Sequence, residues 1–288
     1  MEFHTESSPD SNSIEILRAS IFNKDADAIC NGFVGRTGGV SREQFASLNL
    51  SYFVGDDPAS VDSNWDRLRR EVPALKTIAR INQVHGNEVH VVTRETASSR
   101  PRGDGIVTAE PGVILGIFSA DCVPILMIDP KQKIAGAFHA GWRGILADIT
   151  TVGVNAMTQL GAHHSDLHAA LGPSIGPCCF EVDKELADRF STELQSNARL
   201  SPFPRGKGLG VRFQSVAEQN YITLGRPGKA YLDLRAIARD QLIRAGLDDA
   251  NIANVGPCTR CAHDRFFSRR AAAGQTTGLQ LSFVGFTE

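Results

Sequence analysis

Three side chains stand where an apolar stretch ends beside small residues: His85 in Gln-Val-His-Gly, Cys122 in Ser-Ala-Asp-Cys, and His139 in His-Ala-Gly-Trp-Arg-Gly. A polar side chain leaving a buried strand next to Gly or Ala has space for a ligand in front of it. Two imidazoles and one thiolate suit Zn²⁺, and Cu²⁺ as the alternative, and three protein ligands leave a fourth position for water or substrate. Cys122 and His139 also flank a turn, Asp129-Pro130-Lys131-Gln132, in which Asp leads and Pro pre-sets φ. Centred between Pro130 and Lys131, that turn sets Cys122 directly opposite His139. Opposite residues of an antiparallel pair hold their Cβ atoms roughly 4.5–5.5 Å apart. That is close enough to share one metal ion, or to form a thiol nucleophile and its imidazole base in a hydrolase.

Arginines are the second signal. Arg36, Arg143, Arg265, Arg269 and Arg270 stand beside Gly or aromatic residues in loops at strand ends, and the guanidinium fork matches phosphate and carboxylate. Asp104 and Asp121 are the candidate acid/base or ligand-orienting carboxylates. Cys258-x-x-Cys261 has metal-knuckle or redox spacing, but no second pair follows it. Cys178 and Cys179 are adjacent and point apart on an extended chain. These four, with Cys30, read as small buried structural residues, and His163, His164 and His168 as solvated ones. There is no phosphate-cradling P-loop and no Gly-x-Gly-x-x-Gly following a strand.

The elements that must position these residues follow from periodicity. Val113 to Ile128 reads as one nearly unbroken apolar strand interrupted by Ser119–Cys122, and Lys133 to Phe138 as its hairpin partner. Ile29 to Val40, Phe45 to Phe53, Thr77 to Gln83, Glu88 to Thr93, Ile106 to Thr108, Leu167 to Leu171, Ile252 to Val255 and Leu279 to Phe286 are expected as strands or extended segments. Asp57-Pro58 starts a helix running to about Val72. Further helices are expected over Gly144 to Leu160, closed by Gly161, over Glu181 to Leu194, and from Leu234 to about Ala245. Strands and helices interleave irregularly, which predicts an α+β fold, a single domain of mixed β-sheets packed with helices, over residues 15–288. Residues 1–14, rich in Ser, Asp and Glu, are expected to be a disordered tail, and Ser201 to Gly210 an exposed loop.

Composition bounds the partners. A net charge of −2 argues against a nucleic-acid-binding face. No apolar run reaches the roughly 18 uncharged residues of a membrane span without Asp121 and Pro124 interrupting it. The polar, acidic N-terminus reads as neither a signal nor a transit peptide. Six cysteines in such a chain are then expected to be reduced thiols or metal ligands in a cytoplasmic protein, as a monomer or homodimer.

The segments Gly35–Ser41 (GRTGGVS), Ala46–Leu50 (ASLNL), Asn82–Gly86 (NQVHG), Ala120–Leu126 (ADCVPIL), Ala137–Gly144 (AFHAGWRG), Gly172–Val182 (GPSIGPCCFEV), Tyr231–Leu234 (YLDL) and CTRC…RFFSRR over 258–270 together resemble the YfiH-type family. Its members are called laccase-domain proteins, polyphenol oxidases or, more recently, purine nucleoside phosphorylases. The likeness runs from about Phe33 to Phe286, and it implies a YfiH-like fold. It puts His85, Cys122 and His139 on the family's metal positions, usually zinc. It implies phosphorolysis of adenosine, inosine and methylthioadenosine by inorganic phosphate, with deamination of adenosine. Copper-dependent oxidation of phenols is the older assignment, and a chain with 8 histidines is poorly supplied for it. Under the phosphorolytic reading Arg36, Arg143 and Arg265 are the expected phosphate ligands, with Cys122, Asp104 and Asp121 in catalytic roles. The family's Arg after Phe-Phe-Ser-Arg-Arg is missing here, where Gln275-Thr276-Thr277-Gly278 stands instead.

Overall fold

The apolar run from Val113 to Ile128 is two strands in two different sheets, and the residues between them, Ala120–Cys122, carry the chain across. The computed structural model describes residues 13–22, 28–199 and 221–288; residues 1–12 of the expected tail, and the expected loop Ser201 to Gly210, lie outside them. The strands are β1 (Ile16–Leu17), β2 (Ile29–Val34), β3 (Ile78–Arg80), β4 (Val89–Val91), β5 (Gly105–Thr108), β6 (Ile114–Ser119), β7 (Val123–Asp129), β8 (Ile134–Ala140), β9 (His168–Leu171), β10 (Glu181–Asp183), β11 (Ile222–Leu224), β12 (Lys229–Leu232), β13 (Ile252–Asn254) and β14 (Gln280–Phe286). The helices are α1 (Pro58–Glu71), α2 (Trp142–Leu146), α3 (Ile149–Gln159), α4 (Lys184–Arg199) and α5 (Leu234–Arg244).

One sheet has the order β1-β2-β14-β6-β3, a second β13-β9-β7-β8-β5-β4, and a small third one β10-β12-β11. Among the strands of the described residues, only β3 with β6, β4 with β5 and β13 with β9 run parallel. The two large sheets stack face to face. Leu126, Ile128, Ala135 and Ala137 of the six-stranded sheet meet Leu115, Ile117 and Val284 of the five-stranded one. The opposite face of the six-stranded sheet, with Ile125, Met127, Ile134 and Phe138, is covered by Val154 and Met157 of α3, Phe190 of α4 and Ile237 and Leu242 of α5. The outer face of the five-stranded sheet takes Val61, Trp65 and Leu68 of α1, which share one helix face at i, i+4 and i+7. Buried on both faces, β7 and β8 have no exposed residue, which is why they read as continuous apolar runs. The result is a four-layer helix–sheet–sheet–helix arrangement of mixed α+β class, as expected.

Four local expectations are corrected. The hairpin register is displaced by two: Pro124, not Cys122, faces His139, and Asp129 faces Ile134. Asp129 closes the turn by accepting from the backbone N–H of Lys131 (2.9 Å) and Gln132 (3.0 Å), which puts Lys133 into the left-handed region (φ 54°). A shift of two keeps every side chain on its face. Cys122 therefore stays on the same side as His139, as its diagonal neighbour. Phe45 to Phe53 forms no strand; Asn49 turns it, its carboxamide bonding Ser51, Asp56 and the backbone of Leu279. The helix expected over Gly144–Leu160 is two, because Asp148 at φ 55° breaks it and caps α3 through Thr151. Likewise Glu181–Asp183 pairs with β12 before α4 begins.

Candidate active site: a two-histidine, one-cysteine cluster at the sheet edge

His139 is the penultimate residue of β8 and shares a face with Ala135 and Ala137, so it points between the sheets at the end of the sandwich. Cys122 leads into β7 on the same side. His85 comes from the loop after β3 and lies in the left-handed region (φ 61°). The ligand atoms of the three lie within 4.8 Å of one another, with the two imidazole rings edge to face at 4.8 Å and 83°. Gly141 makes this possible. A Cβ there would sit 3.1 Å from Cys122 Sγ and 3.2 Å from His85 Cδ2, so any side chain would push into the ligand sphere.

Asp104 assembles the group without facing the substrate. Fully buried ahead of β5, its Oδ1 meets His139 Nδ1 at 2.8 Å and accepts the His85 N–H at 2.9 Å. Oδ2 accepts from the N–H of Val84 (3.1 Å) and Gly86 (2.6 Å). Burial pushes this carboxyl up, but the His139 bond, followed by the Gly86 N–H, holds it below the usual carboxylate range. With Nδ1 engaged, His139 offers Nε2 forward. This carboxylate–histidine pairing is what orients an imidazole toward a metal, and the donor set fits Zn²⁺ or Cu²⁺.

Charge is shared inside the cluster. Burial disfavours the thiolate, yet the His139 charge and hydrogen bond, then His85, bring Cys122 down to about 6. Burial likewise disfavours the imidazolium, but the Cys122 thiolate and Asp104 raise His139 to about 9. In the metal-free chain the pair is thiolate–imidazolium between those limits. Below about 6 the thiolate takes a proton, and above about 9 the imidazolium loses one, so the pair's stabilisation is confined to that window. Accordingly, alkylation of Cys122 in chelator-treated protein, followed by peptide mass spectrometry, is expected to rise up to about pH 6 and stay flat to about pH 9. A rate still climbing toward pH 9 would mean the pair does not form.

A cavity of about 830 Å³ opens in front of the cluster. Tyr52, Phe53, Phe118, Phe180, Ile81 and Ile175 supply a largely apolar wall, as small-molecule sites have. Asp121 lines it, at φ 92°, with Oδ1 accepting from Thr259 Oγ1 and Oδ2 from the Arg270 N–H, both at 2.6 Å. The expected phosphate arginines are elsewhere. Arg36 donates to the carbonyls of Ala46 and His263 (both 2.7 Å) and stacks on Phe267. Arg265 pairs with Glu15, and exposed Arg143 lies over Trp142. None of the three lines the cavity; each is used up by a local carbonyl, carboxylate or ring.

Four other arginines do line it: Arg80, Arg100, Arg269 and Arg270. Arg80 lies over the Trp65 ring at 4.8 Å, but its Nε is buried without a hydrogen-bond partner, and burial, then the like charge of Arg100, lowers Arg80 to about 10. Sequence reading passed over Arg80 and Arg100, although Arg80 stands just before the Ile-Asn-Gln-Val-His-Gly segment. Gln83 was also missed as a positioning residue. It donates to Phe118 O (2.7 Å) and accepts from Phe118 N (2.8 Å), tying the His85 loop to the end of β6.

A mixed sheet sandwich with a His₂Cys cluster that could hold a metal ion, at the mouth of an aromatic cavity, is a fold of known type. Residues 30–287 match the family described as "Multi-copper polyphenol oxidoreductase laccase", and the chain belongs to that family, whose YfiH-like fold it shares. It is 35% identical over 268 residues to the purine nucleoside phosphorylase YlmD of Geobacillus stearothermophilus, covering 89% of this chain and 90% of the relative. It is 32% identical over 238 residues to the adenosine deaminase RL5 of an unknown prokaryotic organism, covering 80% and 83%. The crystal structure of YlmD from Geobacillus stearothermophilus superimposes with a TM-score of 0.79 at 33% identity over 98% of both chains. Among the described residues no helix is long and apolar enough to cross a membrane.

Proposed function

We propose that the chain is a zinc-dependent purine nucleoside phosphorylase with adenosine deaminase as a second activity. The observation that carries this reading is the joint placement, in one aromatic-walled cavity, of the His₂Cys cluster and Arg80, whose buried Nε has no hydrogen-bond partner. The chain's relatives are named for these two reactions. His85, Cys122 and His139 would hold the Zn²⁺, which would supply a Lewis acid.

The protein's own groups do the rest. Phe53, Phe118 and Phe180 offer faces and edges on which a purine stacks. Arg80 and Arg100 hold inorganic phosphate through charge-assisted bonds, and their mutual repulsion is relieved when it binds. In phosphorolysis one phosphate oxygen forms a bond to C1′ as the bond from C1′ to the purine nitrogen breaks. The electron pair enters the purine, which takes up a proton. The protonated phosphate or a water delivers it; Asp121, the one carboxylate among the described residues lining the cavity, has both oxygens accepting, from Thr259 Oγ1 and the Arg270 N–H. In deamination water adds at C6 and ammonia leaves, the protons of that water passing to the purine and to the departing ammonia.

Arg80→Met is expected to raise the KM for phosphate roughly 10- to 100-fold, the loss of one hydrogen bond to a charged partner, while the KM for inosine changes less than about twofold. An unchanged phosphate KM removes Arg80 from that role. The reading as a whole is tested by assaying zinc-quantified protein on adenosine and inosine with and without phosphate. Free base that appears only with phosphate supports it. Base released equally without phosphate, or no turnover, contradicts it. The thiolate–imidazolium pair favours one second reading, a Cys122 nucleophile with His139 as base. Activity that survives exhaustive chelation and is lost on alkylation would select it.

A further inference from the structure

The four cysteines read in the sequence as separate small core residues are not separate. Cys178 and Cys261 are exposed, Cys258 is half-buried and Cys179 is buried, and all four Sγ atoms lie within 4.8 Å of one another. The expectation failed because residues 177–179 form a turn rather than an extended chain. There both neighbouring thiols reach the same partner, Cys178 at 3.5 Å and Cys179 at 3.4 Å from Cys261 Sγ. These separations exceed the roughly 2.05 Å of a disulfide. They approach the edge of a tetrahedron about a metal with Zn–S of about 2.3 Å, which is ~3.8 Å.

We propose that Cys178, Cys179, Cys258 and Cys261 form a second, all-thiolate zinc site, separate from the His85–Cys122–His139 cluster and structural in purpose. The surroundings are built for sulfur that carries charge. The Gly176 N–H donates to Cys258 Sγ at 3.2 Å, and the backbone N–H groups of Cys261 and Arg260 also bond it, as in a Cys-x-x-Cys knuckle. Arg260 Nη1 lies 3.5 Å from Cys179 Sγ, and Arg270 Nη1 donates to the carbonyls of Cys179 (3.3 Å) and Glu181 (2.9 Å). Two guanidinium groups thus stand beside a centre that four thiolates and one Zn²⁺ would leave with two negative charges. Gly176 is the floor: a Cβ there would sit 3.3 Å from Cys258 Cβ and 3.4 Å from Cys178 Sγ.

The site joins two loops far apart in sequence. A bridge pairs Ser174 with Cys258, Thr259 N–H donates to Ser174 O at 3.1 Å, and both loops meet at Asp121 through Ile175 N–H and Thr259 Oγ1. The same loops carry Ile175, Phe180, Arg269 and Arg270 into the cavity. Four closed ligands suit a structural zinc, and the ion would lock one wall of the cavity in place.

The test is zinc content in chains purified with reductant and checked for free thiols. A His85→Ala/Cys122→Ala chain, with the first site dismantled, is expected to keep one zinc. Adding Cys178→Ser and Cys261→Ser is expected to remove it. No zinc in the first of these chains, with all remaining thiols free, overturns the proposal, as does an unchanged content after the cysteine replacements. Should the variants not fold, zinc-edge X-ray absorption of the wild-type chain gives the answer. Between two and three sulfurs per zinc at about 2.3 Å is the expected average over both sites; a single sulfur per zinc contradicts it. Neither measurement reads turnover, so its outcome is independent of the proposed reaction.

Discussion

Alanine at Cys122 is expected to strip the metal from the His85–His139 pair and reduce turnover of adenosine and inosine by more than 100-fold. Loss of an outer partner of a metal ligand typically costs about 10–100-fold in affinity or activity, and Cys122 is an inner one. The thiolate is the anionic member of the three-residue set, and without it two neutral imidazoles face a dication alone. In the metal-free chain the same change removes the charge that, against burial, holds His139 at about 9. Elemental analysis and steady-state kinetics on one preparation make the check. Full metal in the first cluster with full turnover would mean that Cys122 is not a ligand.

The second large effect falls on Asp104, where stability and site geometry share one carboxylate. Asp104→Ala leaves three backbone N–H groups and a buried imidazole without their acceptor. Removing one partner of a buried charged pair costs about 3–5 kcal/mol, a large part of the 5–15 kcal/mol that typically holds a domain folded. Urea unfolding of metal-free protein reads it, and a loss under about 1 kcal/mol would contradict it. Asp104→Asn keeps the shape and an acceptor, so it is expected to fold with a smaller loss and to weaken metal binding about 10–100-fold. The pH dependence has a definite sign. Because the folded carboxyl is held below its ordinary value of about 3.9, its stabilisation is present above that value and drains away as pH falls through the folded one.

How much of this was legible in the sequence depended on which forces were local. The face shared by Cys122 and His139 followed from period-two alternation, and it survived a register error because the error was an even number of residues. The failure itself came from Asp129, whose side chain captured two backbone N–H groups and moved the turn. His85 was legible as a polar residue at a strand end and Asp104 as a ligand-orienting carboxylate, whereas the partners that Asp104 holds were not. Four hydrogen bonds from residues 84–86 and 139 appear only once β5 lies beside β8.

The arginines show the opposite case. Arg36, Arg143 and Arg265 were chosen for their Gly and aromatic neighbours, and those neighbours belong to loops with carbonyls and rings that occupy the guanidinium groups. Arg80 gave no such signal, being one residue at the end of a three-residue strand. Its buried, partnerless Nε is a property of the packed cavity. The cysteine quartet was hidden by the same kind of non-local event, in which a turn at 177–179 and a knuckle at 258–261 meet across more than 80 residues of chain.

The most direct measurement follows the phosphate oxygens. Inosine is incubated with the zinc-quantified chain and ¹⁸O-labelled inorganic phosphate, and the sugar product is analysed by mass spectrometry. Attack by phosphate on C1′ yields ribose 1-phosphate that retains every labelled oxygen, in equal amount to hypoxanthine. Free ribose, or hypoxanthine formed at the same rate without phosphate, would contradict phosphorolysis at this cavity.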